Sequence, residues 1–173
     1  KAFLQHKLSR FTAGSNPAPK PVDVVLYGFG RIGRLVAREL IAQEGRGEQL
    51  RLRAIVVRGG GAEDLEKRAS LLRVDSIHGP FPGTVSADSA KNALVVNGRP
   101  VLMINAAKPE DIDYTAYGFS NVLVIDNTGA FRDREALARH QQSKGCTKVL
   151  LTAPGKGIPN IVFGVNHDQD WGG

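Results

Sequence analysis

Gly28, Gly30 and Gly33 follow the apolar run Val22 to Tyr27 and open a helical pattern. Glycines at this spacing bring main-chain amides against the two phosphates of a dinucleotide. Gly28 allows the tight turn out of a strand, Gly30 lets the backbone approach the pyrophosphate, and Gly33 lets the following helix lie close to the strand. The unpaired N–H groups in the first turn of that helix point at the anion. Arg31 adds positive charge beside them. The alternative is a glycine turn needed only for packing. The position between a buried strand and an amphipathic helix favours the phosphate site.

A dinucleotide site usually carries an acid at the tip of the second strand, where it accepts from the adenosine ribose hydroxyls. Here that strand runs Ala54-Ile55-Val56-Val57-Arg58-Gly59, with no acid at its tip. The nearest acids, Glu63 and Asp64, lie down the loop. Arg58 is placed either to meet a 2′-phosphate, as in an NADP site, or to be an ordinary solvated side chain. Two later strand ends, Thr128-Gly129 and Thr152-Ala153-Pro154-Gly155, put hydroxyl and backbone groups where this kind of sheet binds ligands. Gly155-Lys156 lacks the glycine spacing and the following Ser or Thr of a Walker loop. Cys146 is the single cysteine, which excludes an intramolecular disulfide. No histidine or acid next to it in sequence would activate it, so it reads as structural. A cytosolic setting fits this cysteine usage.

These residues need a frame to position them. Val22 to Tyr27 is a strand buried on both faces, as in a parallel sheet. Ile32, Leu35, Val36, Leu40 and Ile41 recur at helical spacing and turn an apolar stripe to the sheet, with Gly45 and Gly47 ending the helix. Leu50 to Val57 completes a βαβ unit. Asp64 to Leu72 is helical, and Arg73 to Val85 is largely loop with an edge strand near Thr84. Asn97-Gly98 is a hairpin turn between strands over 92–97 and 100–104. Core strands follow at 121–125, 148–151 and 161–165, with a helix over 132–143 carrying Ala136, Leu137 and His140 on one face. The expected fold is α/β: a Rossmann-type, doubly wound, mostly parallel sheet with a small antiparallel excursion.

The chain has 173 residues, 42% of them hydrophobic, and 20 glycines, which suits one globular domain rich in turns. The net charge of +6 is spread along the chain. No zinc-finger spacing, aromatic RNA-binding strand motif or basic heptad accompanies it, so a dedicated nucleic-acid surface is disfavoured. No run is long and apolar enough for a membrane helix. Residues 1–21 read as an extension, with Phe3, Leu4, Leu8 and Phe11 at roughly helical spacing, followed by the proline-stiffened stretch Asn16 to Pro21. Residues 22–168 form the nucleotide-binding domain, and 169–173 a terminal tail.

The segments Tyr27 to Leu35, Leu72 to Gly79, Asn127 to Phe131, Thr152 to Lys156 and Phe163 to His167 together resemble the coenzyme domain of the glyceraldehyde-3-phosphate dehydrogenase family. The match runs from about Val22 to Asp168 in matching order and spacing. The resemblance implies a homotetramer that oxidises an aldehyde phosphate with NAD or NADP and inorganic phosphate, through a cysteine thiolate assisted by a histidine. It implies that Gly28, Phe29, Gly30, Arg31 and Ile32 form the pyrophosphate loop. It implies that Thr128, Gly129 and Phe131 lie beside the nicotinamide half, that Thr152 marks the next strand end, and that Ile104 and Asn105 lie near the adenine. The family usually carries Asn-Asp at the second strand tip, where this chain has Val56-Val57 and then Arg58. The family's nucleophilic cysteine lies in a Ser-Cys-Thr-Thr-Asn motif downstream of Gly164 to His167, beyond Gly173. Cys146 does not align with it, and His167 reads as structural. The expectation is therefore the NAD(P)-binding half of an oxidoreductase without turnover of its own, its partner being the catalytic domain of the parent chain. Trp171 to Gly173 reads as a break or a non-native junction. The alternatives are a stand-alone nucleotide-responsive binding or assembly module and, behind it, a nucleic-acid-binding protein.

Overall fold

The computed structural model describes residue 3 and residues 21–43, 50–60 and 62–169. The strand β1 (Val22–Tyr27) runs through the middle of the sheet. Its side chains alternate between the two faces, as the pleat requires. Val24 and Leu26 join one apolar cluster, and Val25 and Tyr27 join another on the opposite face.

Helix α1 (Arg31–Gln43) leads to β2 (Leu50–Val57), which pairs in parallel with β1. Helix α2 (Ala62–Arg73) is followed by a two-stranded antiparallel ribbon of β3 (Val74–Asp75) and β4 (Gly79–Pro80). The hairpins β5 (Val85–Asp88), β6 (Ala93–Val96) and β7 (Arg99–Asn105) form the antiparallel excursion, and β7 pairs in parallel with β2. Asn97 and Gly98, both at positive φ, make the two-residue turn between β6 and β7. Two 3-10 turns (Pro109–Asp111 and Tyr114–Tyr117) precede β8 (Val122–Asp126), then α3 (Arg134–Gln141) and β9 (Cys146–Leu151).

The sheet order is β5-β6-β7-β2-β1-β8-β9. From β1 the chain builds outward to β2 on one side and later to β8 on the other. The mouth between these directions is the place where this architecture leaves a crevice. Ala37, Leu40 and Ile41 of α1 and Leu65, Ala69 and Leu72 of α2 cover one face. The 3-10 turns, with Ile112 and Tyr114, and α3, with Ala136 and Leu137, cover the other. This is the doubly wound, mostly parallel Rossmann-type fold. No helix among the described residues is long and apolar enough to cross a membrane.

Several expectations are corrected. The segment 161–165 is not a strand but a sequence of turns. Gly164 takes φ 79°, and Val165 and Asn166 both donate back to the Val162 carbonyl, at 3.0 and 3.1 Å. The apolar alternation there finds no neighbouring strand, and β9 is the sheet edge. Ile32 does not face the sheet: it is 48% exposed, because the buried stripe of α1 runs through Gly33, Ala37, Leu40 and Ile41. Within 73–85, expected as mostly loop, β3 and β4 pair because the Asp75 carboxylate ties down the intervening turn. The helical spacing of Leu4, Leu8 and Phe11 and the stops at Gly45 and Gly47 lie outside the described residues, as does the tail at 171–173.

Candidate functional site

The turn from β1 to α1 forms the floor of the site. Gly28 takes φ 93°, and its N–H donates to the Val56 carbonyl at 2.9 Å. A Cβ on Gly28 would stand 2.7 Å from the Thr128 methyl. A Cβ on Gly33 would stand 2.3 Å from the Gly28 carbonyl oxygen. These two glycines are required by the protein's own packing. Gly30 differs, because apart from its chain neighbours no atom of the described residues lies within 4 Å of where its Cβ would sit. The bare backbone at Gly30 therefore leaves room for something outside the protein, as a pyrophosphate cradle requires.

Arg34 donates to the Gly30 carbonyl at 3.0 Å, so α1 starts immediately after the turn. The first-turn N–H groups of such a helix have no partner within it. That first turn carries no acidic side chain to compete for an anion, and it exposes Arg31. Phe29 presents its backbone, not its ring, on this turn. Its ring is buried in the core with α1, and its carbonyl accepts from Arg34.

A crevice of about 290 Å³ opens at the switch point, lined by Tyr27, Gly28, Val56, Val57, Arg58, Thr128 and Ala130. Gly28, Arg58 and Thr128, proposed from three distant parts of the sequence, thus share one wall. Arg58 is exposed at its rim. Gly129 takes φ 66° in the turn after β8. Thr152 lies one strand further out, its single hydroxyl proton shared between the Asp126 carbonyl at 3.1 Å and Asn127 Oδ1 at 3.2 Å. Phe131 is buried beneath the crevice, edge-on to Tyr27 and His140. Ile104 is core, whereas Asn105 at the end of β7 accepts from the Gly59 N–H at 2.8 Å.

Two residues holding this wall were given no part in the site by the sequence alone. Asp126, at the last position of β8, and His140, on α3, are both 0% exposed. Asp126 Oδ1 accepts from the Thr128 N–H and hydroxyl, each at 2.7 Å, and Oδ2 meets His140 Nε2 at 2.8 Å. The carboxylate fixes the Thr128 rotamer and so turns its methyl toward Gly28. An acid ending an otherwise apolar strand, with a histidine on the buried stripe of the next helix, was the available signal. The Tyr27 hydroxyl is buried beside the Arg58 side chain; burial raises its pKa, and the Arg58 charge opposes the rise.

Cys146 opens β9, half-buried, with its thiol pushed up to about 11 by burial, which is unlike a nucleophile. His167 closes a turn, with Nδ1 accepting from the Gly164 N–H at 3.0 Å and its ring 4.4 Å from that of Phe163. Among the described residues no group of three or more side chains is arranged to hold a metal ion.

A cradle of backbone amides, an adjacent arginine and a crevice at the sheet's switch point can hold a dinucleotide across the carboxyl ends of β1, β2 and β8. The comparison with known families agrees. Residues 22–134 match the model described as "Glyceraldehyde 3-phosphate dehydrogenase, NAD binding domain". The chain is 53% identical over 167 residues to a glyceraldehyde-3-phosphate dehydrogenase-like protein of Pseudomonas aeruginosa (strain UCBPP-PA14), covering 95% of this chain and 36% of that protein. It is 38% identical to the chloroplastic glyceraldehyde-3-phosphate dehydrogenase A of Zea mays, covering 88% of this chain and 36% of that one. It is 36% identical to glyceraldehyde-3-phosphate dehydrogenase 2 of Bacillus subtilis (strain 168), covering 86% and 40%. The chain therefore spans less than half the length of these curated relatives. With the crevice, the amide cradle and the family model in agreement, the chain belongs to the glyceraldehyde-3-phosphate dehydrogenase family and carries its NAD(P)-binding domain.

Proposed function

We propose that this chain is the coenzyme-binding part of a phosphorylating aldehyde dehydrogenase that takes NADP in preference to NAD, or uses both. The observation that carries the preference is Arg58, exposed on the rim of the crevice where an NAD site would carry an acid. In this reading the amides of residues 30–33 hold the pyrophosphate, and Arg31 adds charge beside it. Gly28 and Gly33 keep the turn and helix close, and Ile32 lies on the outer side of the loop. Thr128 and Gly129 border the nicotinamide half, Phe131 supports them from below, and Thr152 closes the neighbouring strand end. When bound, the nicotinamide accepts a hydride from the aldehyde-derived intermediate.

The remaining chemistry belongs to the rest of the parent protein: a cysteine thiolate that attacks the aldehyde, a histidine that assists it, and a site for inorganic phosphate. Residues 22–168 form the coenzyme domain. The full-length parent works as a cytoplasmic homotetramer, and the chain alone binds dinucleotide without turning over aldehyde.

Parallel calorimetric titration of the 173-residue chain with NAD and NADP tests this reading. Arg58→Glu is expected to weaken NADP by about tenfold or more, as a charge reversal beside a phosphate should, and to change NAD by less than about threefold. Equal losses for both dinucleotides would remove Arg58 from the 2′-phosphate. No saturable binding of either by the folded chain would sink the whole reading.

A further inference from the structure

The acid missing from the tip of β2 arrives from another element. Asp64 stands in the first turn of α2, yet its carboxylate packs directly on Gly60. A Cβ on Gly60 would stand 2.5 Å from Asp64 Oδ2. Gly59 and Gly60 take φ 66° and 130°, which only glycine adopts readily, and so carry the chain past that carboxylate. The Gly59 N–H is meanwhile fastened to Asn105 Oδ1 at the end of β7. A cavity of about 20 Å³ at this spot is lined by Val57, Gly59, Gly60, Asp64, Arg68 and Asn105, among others. Val57 also lines the larger crevice beside Arg58. Asp64 is thus at the strand tip in space although seven residues beyond Val57 in sequence.

A free carboxylate at that point would accept from ribose hydroxyls and repel a 2′-phosphate. Asp64 is not free. Arg68, one turn along α2, donates to its Oδ2 twice, from Nε at 2.9 Å and Nη2 at 2.6 Å. Both partners are partly shielded, with side chains 20% and 31% exposed for Arg68 and Asp64. Both donors are charged and converge on one carboxylate oxygen, which offsets the Asp64 charge where it faces Gly60. We propose that Arg68 determines cofactor specificity: by clamping Asp64 it neutralises the carboxylate packed against the tip of β2, which leaves the site open to a 2′-phosphorylated dinucleotide. Arg68 acts through Asp64 and is a positioning residue. The inference rests on the reading of Arg58 as the 2′-phosphate contact.

The test is calorimetric titration of the chain with NADP and with NAD, for Arg68→Met, for Asp64→Asn and for the double variant, with thermal melts to verify folding. An i,i+4 pair near a helix surface contributes little to stability, so the variants are expected to fold. Arg68→Met should weaken NADP about tenfold and leave NAD unchanged or tighter, because the released charge repels only the extra phosphate. Adding Asp64→Asn should restore NADP binding to within about twofold of the parent, since the repelling charge is gone. A merely structural role for the pair would weaken both dinucleotides together, and Asp64→Asn would not rescue it. Either result overturns the proposal. Arg58→Glu run alongside separates the two claims. A selective loss there without one in Arg68→Met defeats the inference alone. Equal losses in Arg58→Glu defeat the Arg58 reading, and the inference with it.

Discussion

Asp75 illustrates what one side chain contributes to the support of this site. Its carboxylate accepts from the His78 N–H at 2.9 Å and the Ile77 N–H at 3.0 Å, and faces His78 Nδ1 at 3.0 Å. The His78 N–H, then the His78 ring and the Ile77 N–H, hold the carboxyl far below its usual range. A carboxyl depressed in the folded state contributes stability that is present above its unfolded pKa and lost as the pH falls toward its folded one. Asp75→Asn should therefore lower the melting temperature at pH 7. The gap to the parent should hold down to about pH 4, near the ordinary carboxylate pKa, and narrow below it. Thermal melts from pH 7 to pH 2 check this, and a gap that widens on acidification would contradict it. This turn matters to the site because Arg38 of α1 donates to the Leu72 and Gly79 carbonyls at 2.7 and 3.1 Å, which ties the cofactor-side helix to the ribbon.

At the scale of elements, the strand–turn–helix unit separates two uses of glycine. Gly33→Ala forces its new methyl into the Gly28 carbonyl and must lift α1 from β1. Overpacking of this kind costs about 1–3 kcal/mol. Gly30→Ala meets no atom of the described residues within 4 Å beyond its chain neighbours, so stability should change by less than about 0.5 kcal/mol. Dinucleotide affinity should nevertheless fall by about tenfold or more in Gly30→Ala, because the methyl occupies the approach to the pyrophosphate. Urea unfolding and titration of the two variants together check this. Loss of stability in Gly30→Ala with binding intact would reverse the assignment. The wall opposite this turn is built differently. Asp126 and His140 come from β8 and α3, and their buried contact steers Thr128 toward the crevice.

The whole molecule shows where local pattern and tertiary partnership part. The residues Ile161, Val162, Phe163 and Val165 read as a strand, and all four are exposed in the structure, Phe163 by 87%. A side chain this exposed contributes little to stability. Phe163→Ser should change the unfolding free energy by less than about 0.5 kcal/mol, as exposed substitutions do. Chemical denaturation checks this, and a loss above about 2 kcal/mol would mean that the ring is buried in solution. By contrast, Val22 to Tyr27, equally apolar, lies between two strands and under two layers, and its residues Val24 to Tyr27 are buried.

The βαβ start, the hairpin at Asn97-Gly98 and the phosphate turn are legible in residue order alone, because each depends on neighbours within a few residues: strand alternation, helical spacing and the φ freedom of glycine. Gly28, Arg58 and Thr128 were likewise readable as strand-end residues. Their meeting in one crevice, the reach of Asp64 from α2 to the tip of β2, and the place of Asp126 and His140 behind Thr128 emerge with the packed sheet and helices. Those pairings join residues 4 to 14 positions apart or on different strands. Sequence spacing carries no direction in space until the sheet order is set. The same reason explains the failed strand at 161–165: an apolar alternation makes a strand only where another backbone lies alongside to complete its hydrogen bonds.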